Sequence, residues 1–406
     1  MTDNLIKKEQ ATKSSSNMPD YSTARASFSW DKSRAELAGL PDGALNIAHE
    51  AVDRHLAEGR GDQVAIRWIA KSGVRTDLSY ADLARETSRF ANVLRELGLK
   101  KGDKVYSLLG RTPELYIAAL GTLKAGCVFC PLFSAFGPEP IQSRLEIGGG
   151  TVLITSAALY KRKVKNIRDS LPTLREVILI DAEVEDCRDY RALMTSAESD
   201  FETAPMQPED MALLHFTSGT TGKPKGVVRD TGGYLVALAW SMPNVYGTNP
   251  GDTFWAASDI GWVVGHSYIV YGPLLQGCAS ILYEGKPVGT PDAGAYWRIV
   301  ERHRVTALFT APTAMRAIKR EDPDGHFMRE SQLDSLRALF LAGERADPDT
   351  VRWAAEKLDR PVIDHWWQTE TGWPMVANAL GLGLLPIKPG SPTRALPGYQ
   401  IEVLDS

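Results

Sequence analysis

The sequence predicts an α/β fold in which mostly parallel sheets are wrapped by helices and arranged in two subdomains. Three observations carry this. Short apolar runs alternate with longer amphipathic stretches, the pattern of βα units rather than of a helical bundle or a sandwich. The second half of the chain repeats the alternation without any internal sequence repeat. At 406 residues the chain exceeds the ~250–300 at which a single core stops growing. Residues 30–205 and 206–406 are the expected subdomains.

Taken in order, residues 1–29 read as a disordered tail, rich in Ser, Lys, Asn and Thr and without an apolar core stretch. They hold no signal-peptide apolar region, and Asp3 and Glu9 do not suit a transit peptide. A cytoplasmic location is the default. Residues 64–69 form a short strand. Residues 80–98 form an amphipathic helix with Leu83, Phe90, Leu94 and Leu97 on one face and Gly98 as the stop. A strand at 105–109 precedes a helix at 113–125. Further strands fall at 127–133, 151–155 and 177–180. In the second half come a strand at 279–283, a helix at 293–303, strands at 307–310 and 336–341, and a helix at 348–358.

Bulk properties narrow the function. Hydrophobic residues make up 43% and charged residues 24%, an ordinary globular composition. A net charge of −4 offers no electrostatic footprint for nucleic acid or an anionic membrane. Four cysteines suggest no disulfide framework, and Cys127 and Cys130 sit in an apolar run that reads as a buried strand. No apolar run reaches the ~18 residues of a membrane span.

Chemistry concentrates in four blocks. The first is Thr217-Ser218-Gly219-Thr220-Thr221-Gly222-Lys223-Pro224-Lys225-Gly226, set between apolar runs at 211–216 and 227–228. Backbone N–H groups, hydroxyls and two lysines in one compact loop suit a polyphosphate. The loop is not a Walker motif, because Gly219 and Gly222 are too close and Pro224 follows the lysine. A plain glycine-rich hairpin turn is the bland alternative. The second block, Asp259 to Ser267, places small residues around Trp262 and His266. It reads as a pocket wall or as core packing. The third is Ala342-Gly343-Glu344-Arg345, after an apolar strand. The fourth is Asp364-His365-Trp366-Trp367-Gln368-Thr369-Glu370-Thr371-Gly372. Its aromatics could face a base, and Thr369 beside Glu370 is a hard oxygen pair suited to Mg²⁺ bridging phosphates. Lys161-Arg162-Lys163 is a basic run, either a solvated helix face or an anion clamp.

In this order the four blocks resemble those of the adenylate-forming superfamily, which includes acyl-CoA synthetases, luciferases and peptide-synthetase adenylation domains. The resemblance runs from about Leu45 to the last residue, with residues 30–406 corresponding to most of the large N-terminal AMP-binding domain. It implies activation of a carboxylic acid with MgATP to an acyl-adenylate, then transfer to a thiol. Thr217, Lys223 and Glu370 become catalytic residues, with Glu370 as a magnesium ligand. The loop from Thr217 to Lys223, the turn Gly343 to Arg345 and the stretch Asp364 to Thr369 become nucleotide contacts.

The block Gly-Trp-Val-x-Gly-His, here with Trp262, Val263 and Val264, resembles the acyl-pocket lining of short-chain acyl-CoA synthetases. Val264 replaces the Thr common in acetyl-CoA synthetases. Arg345 replaces a usual proline, and Ala342 replaces a frequent Val, leaving room for one more methylene at roughly 1 kcal/mol of discrimination. The departures at Val264 and Arg345 resemble the propionate-preferring branch. Trp367 resembles the tryptophan that closes the pocket to long chains, and Lys161, Arg162 and Lys163 stand where acetyl-CoA synthetases clamp coenzyme A. The substrates implied are small molecules, a short-chain carboxylate, ATP and coenzyme A, with no nucleic acid or membrane partner. The family's ribose-binding aspartate, hinge arginine and lysine-bearing C-terminal domain have no matching strings, so the chain reads as part of a larger enzyme and is expected to be impaired alone; a ligase for another acid and a catalytically incomplete nucleotide-binding fragment are the alternatives.

Overall fold

The protein is described here from a computed structural model, which describes residues 21–217 and 223–405. Two sheets organise it. In chain order the strands are β1 (Val64–Ile69), β2 (Arg75–Ser79), β3 (Lys104–Leu108), β4 (Val128–Pro131), β5 (Val152–Thr155), β6 (Glu176–Leu179), β7 (Arg188–Asp189) and β8 (Met211–Thr217). They continue with β9 (Lys225–Asp230), β10 (Thr253–Ala256), β11 (Ala279–Tyr283), β12 (Ala307–Thr310), β13 (Ala338–Leu341), β14 (Val362–Trp366), β15 (Val376–Ala377) and β16 (Arg394–Ala395). One sheet runs β7-β6-β5-β3-β4-β8-β9, parallel except for the β8–β9 hairpin. The other runs β16-β15-β14-β13-β12-β10-β11-β1-β2, parallel in its centre and antiparallel at both ends.

Parallel central strands are covered on both faces, which is why β4, β5, β11, β12 and β13 are buried along their whole length and read as unbroken apolar runs. Period-two alternation then sorts the residues. Val105, Phe129 and Ile154 point to the central core, where they join Phe254, Phe309, Phe340 and Ile363 of the larger sheet. Tyr106, Val128, Cys130 and Leu153 point the other way, into a cluster under the smaller sheet. Trp255, Leu308, Leu339 and Val362 pack outward from the larger one.

Local chemistry sets the helix limits. Tyr80–Glu96 starts on a reciprocal capping box between Ser79 and Asp82, buries Leu83, Phe90 and Leu94, and stops before Gly98 at φ 78°. Helices Pro113–Lys124, Pro138–Gly148 and Pro348–Leu358 each begin with proline in their first turn.

Two expectations need correction. Residues 21–29 are not all tail: Tyr21–Ser27 is helical, with Tyr21 and Ala24 buried and the Tyr21 hydroxyl donating to the Ala395 carbonyl. Two anchors on a polar segment leave no sequence periodicity. Nor do the sheets divide at residue 205. The first two strands, β1 and β2, lie in the sheet built mainly by the second half, and β8 and β9 complete the sheet built by the first. Cys127 and Cys130 are buried as expected.

Candidate functional site

All four motif blocks follow directly on the carboxyl ends of strands. The Thr217 loop leaves β8, Asp259–Ser267 follows β10, Ala342–Arg345 leaves β13, and Asp364–Gly372 spans the end of β14. β13 and β14 are parallel neighbours, with Leu341 opposite Asp364. Carboxyl ends of a parallel sheet are where α/β proteins hold ligands, because loops diverge there and leave a crevice.

Contacts join the blocks. Ser267 Oγ donates to the Gly372 carbonyl at 2.5 Å, and Tyr234 donates to Ser267 at 2.8 Å. Trp367 meets Tyr268 edge-on, with centroids 5.5 Å apart, and also borders Phe309 and His365. Arg229, on β9, donates to the Thr369 carbonyl. Fourth block, second block and loop hairpin thus form one assembly.

Individual residues fall into place as follows. Thr217 is half-buried at the end of β8, opposite Lys225, and Lys223 is exposed. Ser218, Gly219, Thr220, Thr221 and Gly222 lie outside the described residues. Gly343, Glu344 and Arg345 form an exposed turn that Gly343 makes possible at φ 102°. The Glu344 carboxylate accepts from Arg316 at 2.6 Å. Burial pushes the Asp364 carboxyl up to about 6, against backbone N–H bonds from Ala346 and His365 and the charge of Arg345. Trp366 and Gln368 are exposed, while Ala342 is buried and Trp367 and Val264 pack against the central core. The Glu370 carboxylate is exposed and forms no ion pair among the described residues.

Three of the expected site residues have side-chain settings that bear on their proposed roles. His365 has both ring nitrogens engaged: with the proton on Nδ1, it donates to the Leu341 carbonyl at 2.7 Å and accepts from the Tyr246 hydroxyl at 3.0 Å. Burial holds it neutral, with a pKa lowered to about 4. It ties β14 to β13 and has no nitrogen left for a nucleotide. Trp262 is 55% exposed and lies against Phe133, at 5.3 Å, with no ring contact to Trp367. The Lys163 ammonium is spent on the carbonyls of Ser134 and Phe136, at 2.6 and 2.7 Å, leaving Lys161 and Arg162 as the exposed cations of that run.

Arg229 is the residue that sequence reasoning missed. It is 5% exposed, lies 5.1 Å from the Tyr234 ring centroid, and stands close enough to Glu370 to feel its charge. The signal was a charged residue at an inward position of a strand, directly after the apolar pair Val227-Val228.

Comparison with known proteins agrees with this fold. Residues 53–406 match the family model described as AMP-binding enzyme. The chain is 40% identical over 387 residues to the rat mitochondrial acyl-CoA synthetase short-chain family member 3, covering 90% of this chain and 56% of that protein. It is 36% identical over 417 residues to the acetyl-coenzyme A synthetase of Syntrophus aciditrophicus, covering 98% of this chain and 63% of that protein. The crystal structure of Brucella canis acyl-CoA synthetase superimposes with a TM-score of 0.85 at 35% identity, over 95% of this chain and 68% of that one.

The chain belongs to the AMP-binding enzyme family, and its relatives are short-chain acyl-CoA and acetyl-CoA synthetases. It spans 56% and 63% of the length of the two curated relatives named above.

Proposed function

We propose that the protein activates a short-chain carboxylate, propionate or acetate, with MgATP to an acyl-adenylate and passes the acyl group to coenzyme A. The observation that supports this best is that the four motif blocks all follow strand ends, with β13 beside β14, and that three of them are tied by Arg229–Thr369, Ser267–Gly372 and Tyr268–Trp367.

In this reading Lys223 and Thr217 face the triphosphate as electrostatic stabilisers, with Ser218 to Gly222 completing the loop. Asp364, Gln368, Thr369 and the turn Gly343–Arg345 border the nucleotide. Trp366, 42% exposed beside them, offers a ring face to the base. Trp367, Ala342 and Val264 bound the acyl chain, with Val263 beside them. Lys161 and Arg162 are the exposed cations available to coenzyme A. The nucleophile is a carboxylate already ionised at neutral pH, so the reaction needs no general base.

Magnesium fits this arrangement. No group of three His, Cys, Asp or Glu capable of holding a metal exists among the described residues. One exposed, unpaired carboxylate is what a phosphate-borne Mg²⁺ requires, since that ion commonly takes one or two carboxylates and completes its shell with phosphates and water. Glu370 would hold it, and the ion would neutralise charge on the phosphate oxygens. The partners in this proposal are small molecules. No helix among the described residues is long and apolar enough to cross a membrane, and we place the protein in the cytoplasm, acting on neither nucleic acid nor membrane.

Calorimetry tests the nucleotide site. ATP with Mg²⁺ should bind, and Lys223→Ala and Glu370→Ala should each weaken binding about tenfold, or 1.4 kcal/mol. Unchanged affinity in both variants would overturn the assignment.

A further inference from the structure

Arg229 lies between the two halves of the proposed phosphate site. It sits on β9, the strand that leaves the Thr217 loop, in register with Leu213 of β8. Its guanidinium reaches across to the other sheet, where it donates to the Thr369 carbonyl just beyond β14. A residue at 5% exposure seldom carries a charge unless that charge has work to do.

The surroundings are shaped to it. Tyr234 underlies the guanidinium at 5.1 Å, and the Tyr234 hydroxyl continues through Ser267 to the Gly372 carbonyl. Gly372 adopts φ +76°, and a Cβ there would stand 2.5 Å from one Arg229 nitrogen and 2.8 Å from its central carbon. Glycine at 372 therefore serves both the turn and the close approach of Arg229. The turn itself closes by a Gly372 N–H bond to the Gln368 carbonyl at 3.0 Å. Arg229 grips the backbone beside Glu370 and makes no ion pair with its carboxylate within 4.0 Å. A guanidinium paired with that carboxylate would compete with a metal; one that holds the neighbouring carbonyl fixes its position and leaves it free.

We propose that Arg229 is a positioning residue that locks the 368–372 turn to the strand leaving the phosphate loop. Thr217 and Lys223, the described residues nearest the hairpin, and the Glu370 carboxylate then face one metal–triphosphate together. This rests on the reading of Glu370 as the magnesium carboxylate.

The test has two arms on the full chain. In the ligand-free protein, amide hydrogen exchange is followed for residues 368–372 and for the β3–β6 core. Arg229→Met should speed exchange in the turn at least tenfold and leave the core within twofold. In the second arm, ATP is titrated with Mg²⁺ and in EDTA. Arg229→Met should lose about 10–100-fold in MgATP affinity, the usual cost of removing an outer partner of a metal ligand, and less than twofold for ATP alone. Arg229→Lys should recover part of that loss.

Exchange in the turn unchanged by Arg229→Met, or an equal loss with and without Mg²⁺, would overturn the proposal. Should Arg229→Met fail to fold, Arg229→Lys and Gly372→Ala are judged by the same two readouts. An unchanged MgATP affinity in Glu370→Gln would overturn the site reading and the metal role of Arg229 with it. The exchange arm would still decide whether Arg229 orders the turn.

Discussion

At the level of single residues, the proposed function gives Trp367 the largest part in specificity. Its ring is held edge-on by Tyr268 and flanked by Phe309 and His365, so it is a fixed wall rather than a mobile side chain. In the proposed function, Trp367→Gly should move preference toward longer acids, and Ala342→Val should move it toward acetate by about fivefold, near 1 kcal/mol per buried methylene. Initial rates with acids of increasing chain length check both. An identical profile in wild type and both variants would remove these residues from the pocket.

Residue-level legibility followed chemistry that clusters in sequence. Glu370 stood out because an acid beside a hydroxyl near aromatics is unusual. Arg229 did not, because its partners Thr369 and Gly372 come from the other sheet and no spacing rule connects them. The partners of His365 and Lys163 were hidden for a related reason: backbone carbonyls and the distant Tyr246 hydroxyl are not displayed as partners by a sequence.

Among the elements, the buried parallel strands and the helices between them were legible, because two-sided burial gives unbroken apolar runs and helix faces keep their period. What was missed included the buried strand β10 and the helix Thr231–Asn244, and otherwise was short or polar. β2 has two exposed residues among its five, and β15 and β16 have two residues each. They pair at sheet ends, where no apolar alternation is demanded. The hairpin β8–β9 leads into helix Thr231–Asn244, whose N-cap Asp230 accepts from the N–H groups of Gly233 and Tyr234. Since that helix carries Tyr234 beneath Arg229, its start bears on the site. Asp230→Ala should cost about 1 kcal/mol, read as a lower denaturant midpoint at unchanged slope. A variant as stable as wild type would mean that this cap contributes nothing.

At the scale of the whole molecule, the two sheets interleave and share one core, with the candidate site blocks at strand ends of both. Stability should depend on pH through buried neutral histidines. His55, bonded to the Leu274 carbonyl at 2.6 Å, and His365 both have pKa values lowered to about 4, first of all by burial. The unfolded chain binds protons near pH 6.5 and the native state does not. Their contribution is thus complete above about pH 6.5 and is lost as pH falls toward 4, by at most about 1.4 kcal/mol per pH unit for each. Asp364 works in the opposite sense. Its raised pKa favours the protonated native form, so stability rises as pH falls from about 6 toward 4. Two histidines outweigh one carboxyl, so chemical denaturation at pH 7.5 and pH 5 should give a lower midpoint at pH 5. Equal midpoints would contradict the neutral, buried state of these rings.

The claim that this site activates a carboxylate is tested most directly by ATP–pyrophosphate exchange. Labelled pyrophosphate should enter ATP when propionate or acetate is present with Mg²⁺, and should not without the acid. Glu370→Ala and Lys223→Ala should each slow the exchange by about 10²–10³, the usual cost of removing one preorganised electrostatic group. ATP binding with no acid-dependent exchange would contradict the account and leave a nucleotide-binding protein, and exchange supported only by long-chain or aromatic acids would contradict its substrate.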